Sequence, residues 1–153
     1  MAENFLADTF AINNRINLYL LSAIADKHLT DTLNNKGRNV GEQFAHIHNV
    51  RLMWLKVSSP EALATLTKFE KTNISKPLLL KELEASGKAM EELLTKASAT
   101  NKIKGFKPHA AAFMGYLISH ESHHRGQIML ILKSNNHMVD QKTQYGLWEW
   151  GVR

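Results

Sequence analysis

The 153-residue chain has no cysteine. That excludes a disulfide scaffold, a protein thiolate nucleophile and any Cys-ligated zinc or iron–sulfur site. It also fits a reducing compartment, and the expected location is the cytoplasm. Proline is scarce at 3 residues and glycine at 8, and valine numbers only 5 against 20 leucines and 15 alanines. This balance favours helices over a β-sandwich or barrel. No apolar run approaches the roughly 18 residues needed to cross a bilayer. The opening MAENFLADTF carries acidic residues and no basic segment, so it does not read as a secretory signal. A membrane partner is therefore not expected.

The remaining composition is that of an ordinary soluble domain, 44% apolar and 22% charged, and residues 1–153 read as one domain. The net charge is +5. The basic residues are spread along the chain, with only Lys102, Lys104 and Lys107 clustering around one loop. No helix-turn-helix or other nucleic-acid motif accompanies them, so nucleic acid is not an expected partner.

Four amphipathic stretches predict four helices. The first runs from about Asn4 to Leu33, with Phe5, Ile12, Ile16, Leu20, Ala23 and Ile24 mostly at three- and four-residue steps. The second runs from about Val40 to Val57, with Asn39 as N-cap and Glu42 at capping-box spacing, and stops at Ser58-Ser59-Pro60. Residues 61–69 read as a short helix or a folded loop. The third helix spans about Pro77 to Ala99 with Ser75 as N-cap, and the fourth Pro108 to about Asn135 with Pro108 in its first turn. Tyr145, Trp148 and Trp150 crowd the tail, which is expected to pack on the body. The expected fold is an all-α four-helix bundle. The long connection after Pro60 is a candidate crossover that lets the second and third helices run parallel.

Eight histidines are the unusual feature, five of them in two patches, Ala45-His46-Ile47-His48 and His120-Glu121-Ser122-His123-His124. At about 100° per residue, the apolar face of the fourth helix is set by Phe113, Leu117, Ile128, Ile131 and Leu132. His124 lies near its centre, His120 on its flank and His123 well to the side. His120 and His124, at i and i+4, suit two imidazoles on one cation. Glu121 also falls on the apolar side. It reads as an ion pair with Arg125, as a partner that orients a histidine, or as a general base. On the second helix, His46 and His48 flank the apolar centre at similar angles, and helical phase alone does not choose between them. Either one with His120 and His124 gives three imidazoles and open coordination positions, the catalytic rather than the structural pattern.

These residues resemble a known family. Ala45-His46-Ile47, Val50-Arg51 and Trp54-Leu55, followed by His120-x-x-x-His124-Arg125-Gly126-Gln127 and the closing Tyr145-Gly146-Leu147-Trp148-Glu149-Trp150, look like the DinB/YfiT-like family. The resemblance implies a bundle in up-down-down-up order and a divalent metal, zinc or nickel, on three histidines. It maps the first ligand to His46 and the others to His120 and His124, leaving His48 and His123 as outer-shell or surface residues. It implies a homodimer. Characterised relatives include S-transferases using bacillithiol, mycothiol or glutathione, and a mycothiol-dependent maleylpyruvate isomerase. The implied activity is transfer of a low-molecular-weight thiol to a small-molecule electrophile in stress or detoxification. Arg125, with Arg51, is a candidate to hold a carboxylate on either reactant. The alternatives are metal-dependent hydrolysis with Glu121 as base, and a noncatalytic metal-binding stress-response protein.

Overall fold

The computed structural model describes residues 4–153. Four long helices dominate it: α1 (Phe5–Ala23), α2 (Val40–Ser58), α3 (Lys76–Ala97) and α4 (Ala110–Ser134), followed by the short α5 (Gln141–Gly146). There is no β-strand among the described residues. The helix starts follow local chemistry. The Asn39 side chain accepts from Glu42 N at 2.8 Å while Glu42 Oε2 accepts from Asn39 N at 3.0 Å, a complete capping box. Ser75 caps α3 as expected.

Two helix boundaries differ from the sequence reading. The first helix ends at Ala23, not Leu33, because Ile24 is extended and residues Asp26–Thr30 form a 3₁₀ turn. Ile24 and Leu29 are buried all the same, so the apolar spacing continues without the helix. The fourth helix starts at Ala110, capped by His109, whose Nδ1 accepts from Ala112 N at 3.1 Å. Pro108 therefore precedes the cap. Residues 61–69 hold a 3₁₀ helix, Pro60–Thr65, and then a loop.

The core is split into two apolar layers, and their membership gives the topology. One layer joins Leu20 and Leu21 from the end of α1, Val40 and Phe44 from the start of α2, Leu79 and Leu83 from the start of α3, and Ile128 and Leu132 from the end of α4. The other joins Phe10 from the start of α1, Leu55 from the end of α2, Met90 and Leu94 from the end of α3, and Phe113 from the start of α4. The order is therefore up-down-down-up, with α2 and α3 parallel. Around the bundle, α3 and α4 each contact both α1 and α2. This seats α2 between α3 and α4.

Between the two layers lies a buried polar belt: Asn13, Asn14 and Asn17 of α1, His48 and Arg51 of α2, Glu82 and Ser86 of α3, and Glu121 of α4. Gly87 belongs to this level, since a Cβ there would sit 2.2 Å from Asn14 Nδ2. The tail packs through Thr143, Gly146 and Leu147, with Trp150 half-buried. Thr143 and Gly146 are buried, and Gly146 lies against the Tyr19 ring, where a Cβ would meet Oη at 2.4 Å. Tyr145 and Trp148 are exposed, contrary to expectation, at 65% and 82%. Among the described residues, no helix is long and apolar enough to cross a membrane.

Candidate metal centre

The position of α2 between two neighbours decides what its histidines do. His46 faces α4 and His48 faces α3. His46, His120 and His124 come together, each offering one ring nitrogen, and these atoms lie within 4.8 Å of one another. The Nε2 atoms of His46 and His120 are 3.3 Å apart, and those of His120 and His124 are 3.1 Å apart. With zinc–nitrogen bonds of about 2.0–2.1 Å, the edge of a tetrahedral site is about 3.3 Å. The rings meet at steep angles, 57° for His46 with His120 and 67° for each of the other two pairs, so they converge rather than stack.

The protonation chemistry favours three neutral imidazoles. Burial lowers the pKa of His124 to about 4, helped by the nearby His120 and His46. The pKa values of His46 and His120 are lowered too, chiefly by burial, with the Arg38 charge adding to the effect on all three rings. Gln43 Oε1 lies 2.6 Å from His124 Nδ1. A carbonyl oxygen can only accept, so Nδ1 carries the hydrogen and Nε2 presents its lone pair to the cluster. A second ring partner of this kind is the usual companion of a metal-binding histidine. His120 Nδ1 is buried and has no hydrogen-bond partner among the described residues. The donor set fits zinc or nickel, both suited to imidazole.

The other residues singled out in the sequence lie elsewhere. His123 is exposed and contacts Gln127. His48 is fully buried, which corrects its assignment as an outer-shell or surface residue. Its Nδ1 meets Ser86 Oγ at 3.0 Å and its Nε2 meets Thr67 O at 2.8 Å. The cause is non-local: the loop after the 3₁₀ helix folds back over α2, and Asn49 pairs with both backbone groups of Phe69.

Glu121 is 1% exposed, and both its oxygens are taken. Oε1 accepts from Arg51 Nε at 2.7 Å, and Oε2 accepts from Arg51 Nη2, Asn13 Nδ2 and Asn17 Nδ2 at 2.9, 2.6 and 2.9 Å. Its pKa is lowered, the Arg51 charge and these hydrogen bonds outweighing burial. A carboxylate held this way is a poor proton acceptor, so the general-base role is corrected to that of a buried counter-ion. Its ion-pair partner is Arg51, not Arg125. Arg125 donates to Asn13 Oδ1, Asn17 Oδ1 and Ser122 Oγ. Arg51 is fully buried in its contacts and Arg125 is half-buried with one amino group turned to Asn13 and Asn17, so the contacts they make are with the bundle's own residues.

Two site residues escaped the sequence reading. Gln43 sits one turn before His46 on α2, a polar residue on a buried face. Arg38 precedes α2 and lines an open cavity of about 740 Å³ that reaches the cluster at His46.

The DinB family model matches residues 1–139. The chain belongs to the DinB family. No curated protein and no solved structure matches it. The match covers all four long helices and all three clustered histidines, and stops just before α5.

Proposed function

We propose that this DinB-family protein is a divalent-metal-dependent enzyme that joins a low-molecular-weight thiol to an electrophile, with His46, His120 and His124 as ligands of zinc or nickel. The observation that carries the reading is the convergence of three ring nitrogens within 4.8 Å of one another, with the His46–His120 and His120–His124 Nε2 separations, 3.3 and 3.1 Å, close to the edge of a tetrahedral site. Such a metal supplies Lewis acidity, generating a nucleophile at neutral pH from a thiol or water that would otherwise keep its proton.

The chain's own residues do the rest. Gln43 fixes the His124 tautomer, so that the lone pair is available without reorganisation. The lowered pKa values keep the three rings unprotonated at neutral pH. Three protein ligands leave positions for a small molecule, and the cavity beside His46 gives it access. In the reaction the thiol releases its proton to water, its sulfur bonds to the electrophilic carbon, and the leaving group departs with the bonding pair. The cysteine-free chain supplies no sulfur of its own. The hydrolytic alternative is weaker, because its base, Glu121, is fully engaged by Arg51, Asn13 and Asn17.

The test is turnover of an activated aryl halide by tag-free protein loaded with zinc or nickel, with and without glutathione or another small thiol. The expected result is product formation that needs both metal and thiol and is lost in His124→Ala. Turnover of activated esters without thiol, or no turnover by metal-loaded protein across the small thiols, contradicts the proposal.

A further inference from the structure

Four charged side chains line the cavity, and three of them are neutralised locally. Glu42 is bound into the capping box and lies 3.9 Å from Lys71, and Glu70 pairs with Lys68 at 3.2 Å. Arg38 is exposed and makes no hydrogen bond or ion pair among the described residues. It shares the cavity with His46, and its charge is felt at all three clustered rings. An unpaired guanidinium beside a small-molecule opening is a ready partner for a carboxylate, which it can grip with two parallel N–H donors. The other two arginines near this level, Arg51 and Arg125, are consumed by the buried belt.

We propose that Arg38 binds a carboxylate on the reactant that enters the cavity, placing that molecule's reacting end at the His46 edge of the cluster. The proposal rests on the three-histidine reading above. It assigns the reactant a chemical class, a small organic acid, and gives Arg38 a role in specificity.

The test uses tag-free protein loaded with cobalt(II) and titrated with mercaptocarboxylates of graded length, each paired with the mercaptoalcohol of the same chain. Binding is read from the absorption that a sulfur ligand adds to the cobalt spectrum, so no activity is needed. At the chain length that spans the distance to Arg38, the acid is expected to bind about tenfold more tightly than the alcohol, the low end for an accessible charge-assisted hydrogen bond. Arg38→Gln should abolish that preference while leaving the alcohol's affinity unchanged, and Arg38→Lys should retain part of it. Cobalt binding with no acid preference at any length, or a preference that survives Arg38→Gln, overturns the role of Arg38 and leaves the metal site standing. Failure of the wild-type protein to take up cobalt removes the site itself and the proposal with it.

Discussion

Removing the Arg51 guanidinium should be the most damaging single change in the buried belt. Arg51 is fully buried and has five N–H groups, each of which has a partner. Nε donates to Glu121 Oε1 at 2.7 Å; Nη2 donates to Glu121 Oε2 at 2.9 Å and Asn14 Oδ1 at 2.8 Å; Nη1 donates to Leu83 O at 2.9 Å and Ser86 Oγ at 3.1 Å. Arg51→Met keeps much of the side-chain length but leaves the Glu121 carboxylate buried with only Asn13 and Asn17 donating to it. Breaking one side of a buried pair costs about 3–5 kcal/mol. At roughly 2–4 °C per kcal/mol for a chain of this size, Tm should fall by about 10 °C. The loss should shrink from pH 7 to pH 5. Without the guanidinium, burial raises the Glu121 pKa, and the neutral acid is cheaper to bury. Arg51→Met/Glu121→Leu, which removes both charges, should recover much of the loss. Urea unfolding at the two pH values checks all three statements. A loss under about 1 kcal/mol at pH 7, or one that does not change with pH, would refute the reasoning.

Two further outcomes follow from the metal centre. Gln43→Ala frees the His124 tautomer and should weaken zinc affinity by about 10–100-fold while leaving a folded bundle, as competition with a chromogenic chelator would show. The metal-free protein should lose stability as pH falls from the ordinary histidine value of 6.5 toward about 4. The folded-state pKa values of His46, His120 and His124 are lowered, so in that window the unfolded chain binds more protons and is favoured. Denaturation midpoints measured across this range should fall steadily, and a flat profile would contradict the burial of these rings.

The helices, and the starts of α2 and α3, were legible because local chemistry sets them. Asn39 with Glu42 and Ser75 act within one turn, and the structure uses them as the sequence suggested. Helical phase also placed His124 inward, His120 on the flank and His123 well to the side, in the order of their burial. Legibility ended where distant chain segments decide. The continuing apolar spacing of Ile24 and Leu29 does not distinguish a helix from a 3₁₀ turn that buries the same residues. His48 is buried by a loop some twenty residues away, which no pattern in α2 announces. Helical phase puts Glu121 on the apolar side of α4, but its partner Arg51 lies on another helix, so neither its full burial nor its pairing is readable from α4 alone. Asn13 and Asn17, polar residues one turn apart and interleaved with the apolar Ile16 and Leu20, were the available sign of a polar belt. Aromatic density in the tail was a poor guide to exposure, since Tyr145 and Trp148 are exposed while Thr143, Gly146 and Leu147 make contacts there.

The central claim is that His46, His120 and His124 hold one divalent metal, and metal content tests it most directly. Tag-free protein is purified as wild type and with His46, His48, His120, His123 or His124 changed singly to Ala, and its metal is measured by mass spectrometry. The account predicts about one metal per chain in the wild type, retained in His123→Ala and lost in His46→Ala, His120→Ala and His124→Ala. His48→Ala should keep the metal but lose stability, because the Thr67 carbonyl and Ser86 each lose a hydrogen bond and a buried ring is removed. A wild-type protein that carries no metal and takes none up, or full occupancy in His124→Ala, would contradict it.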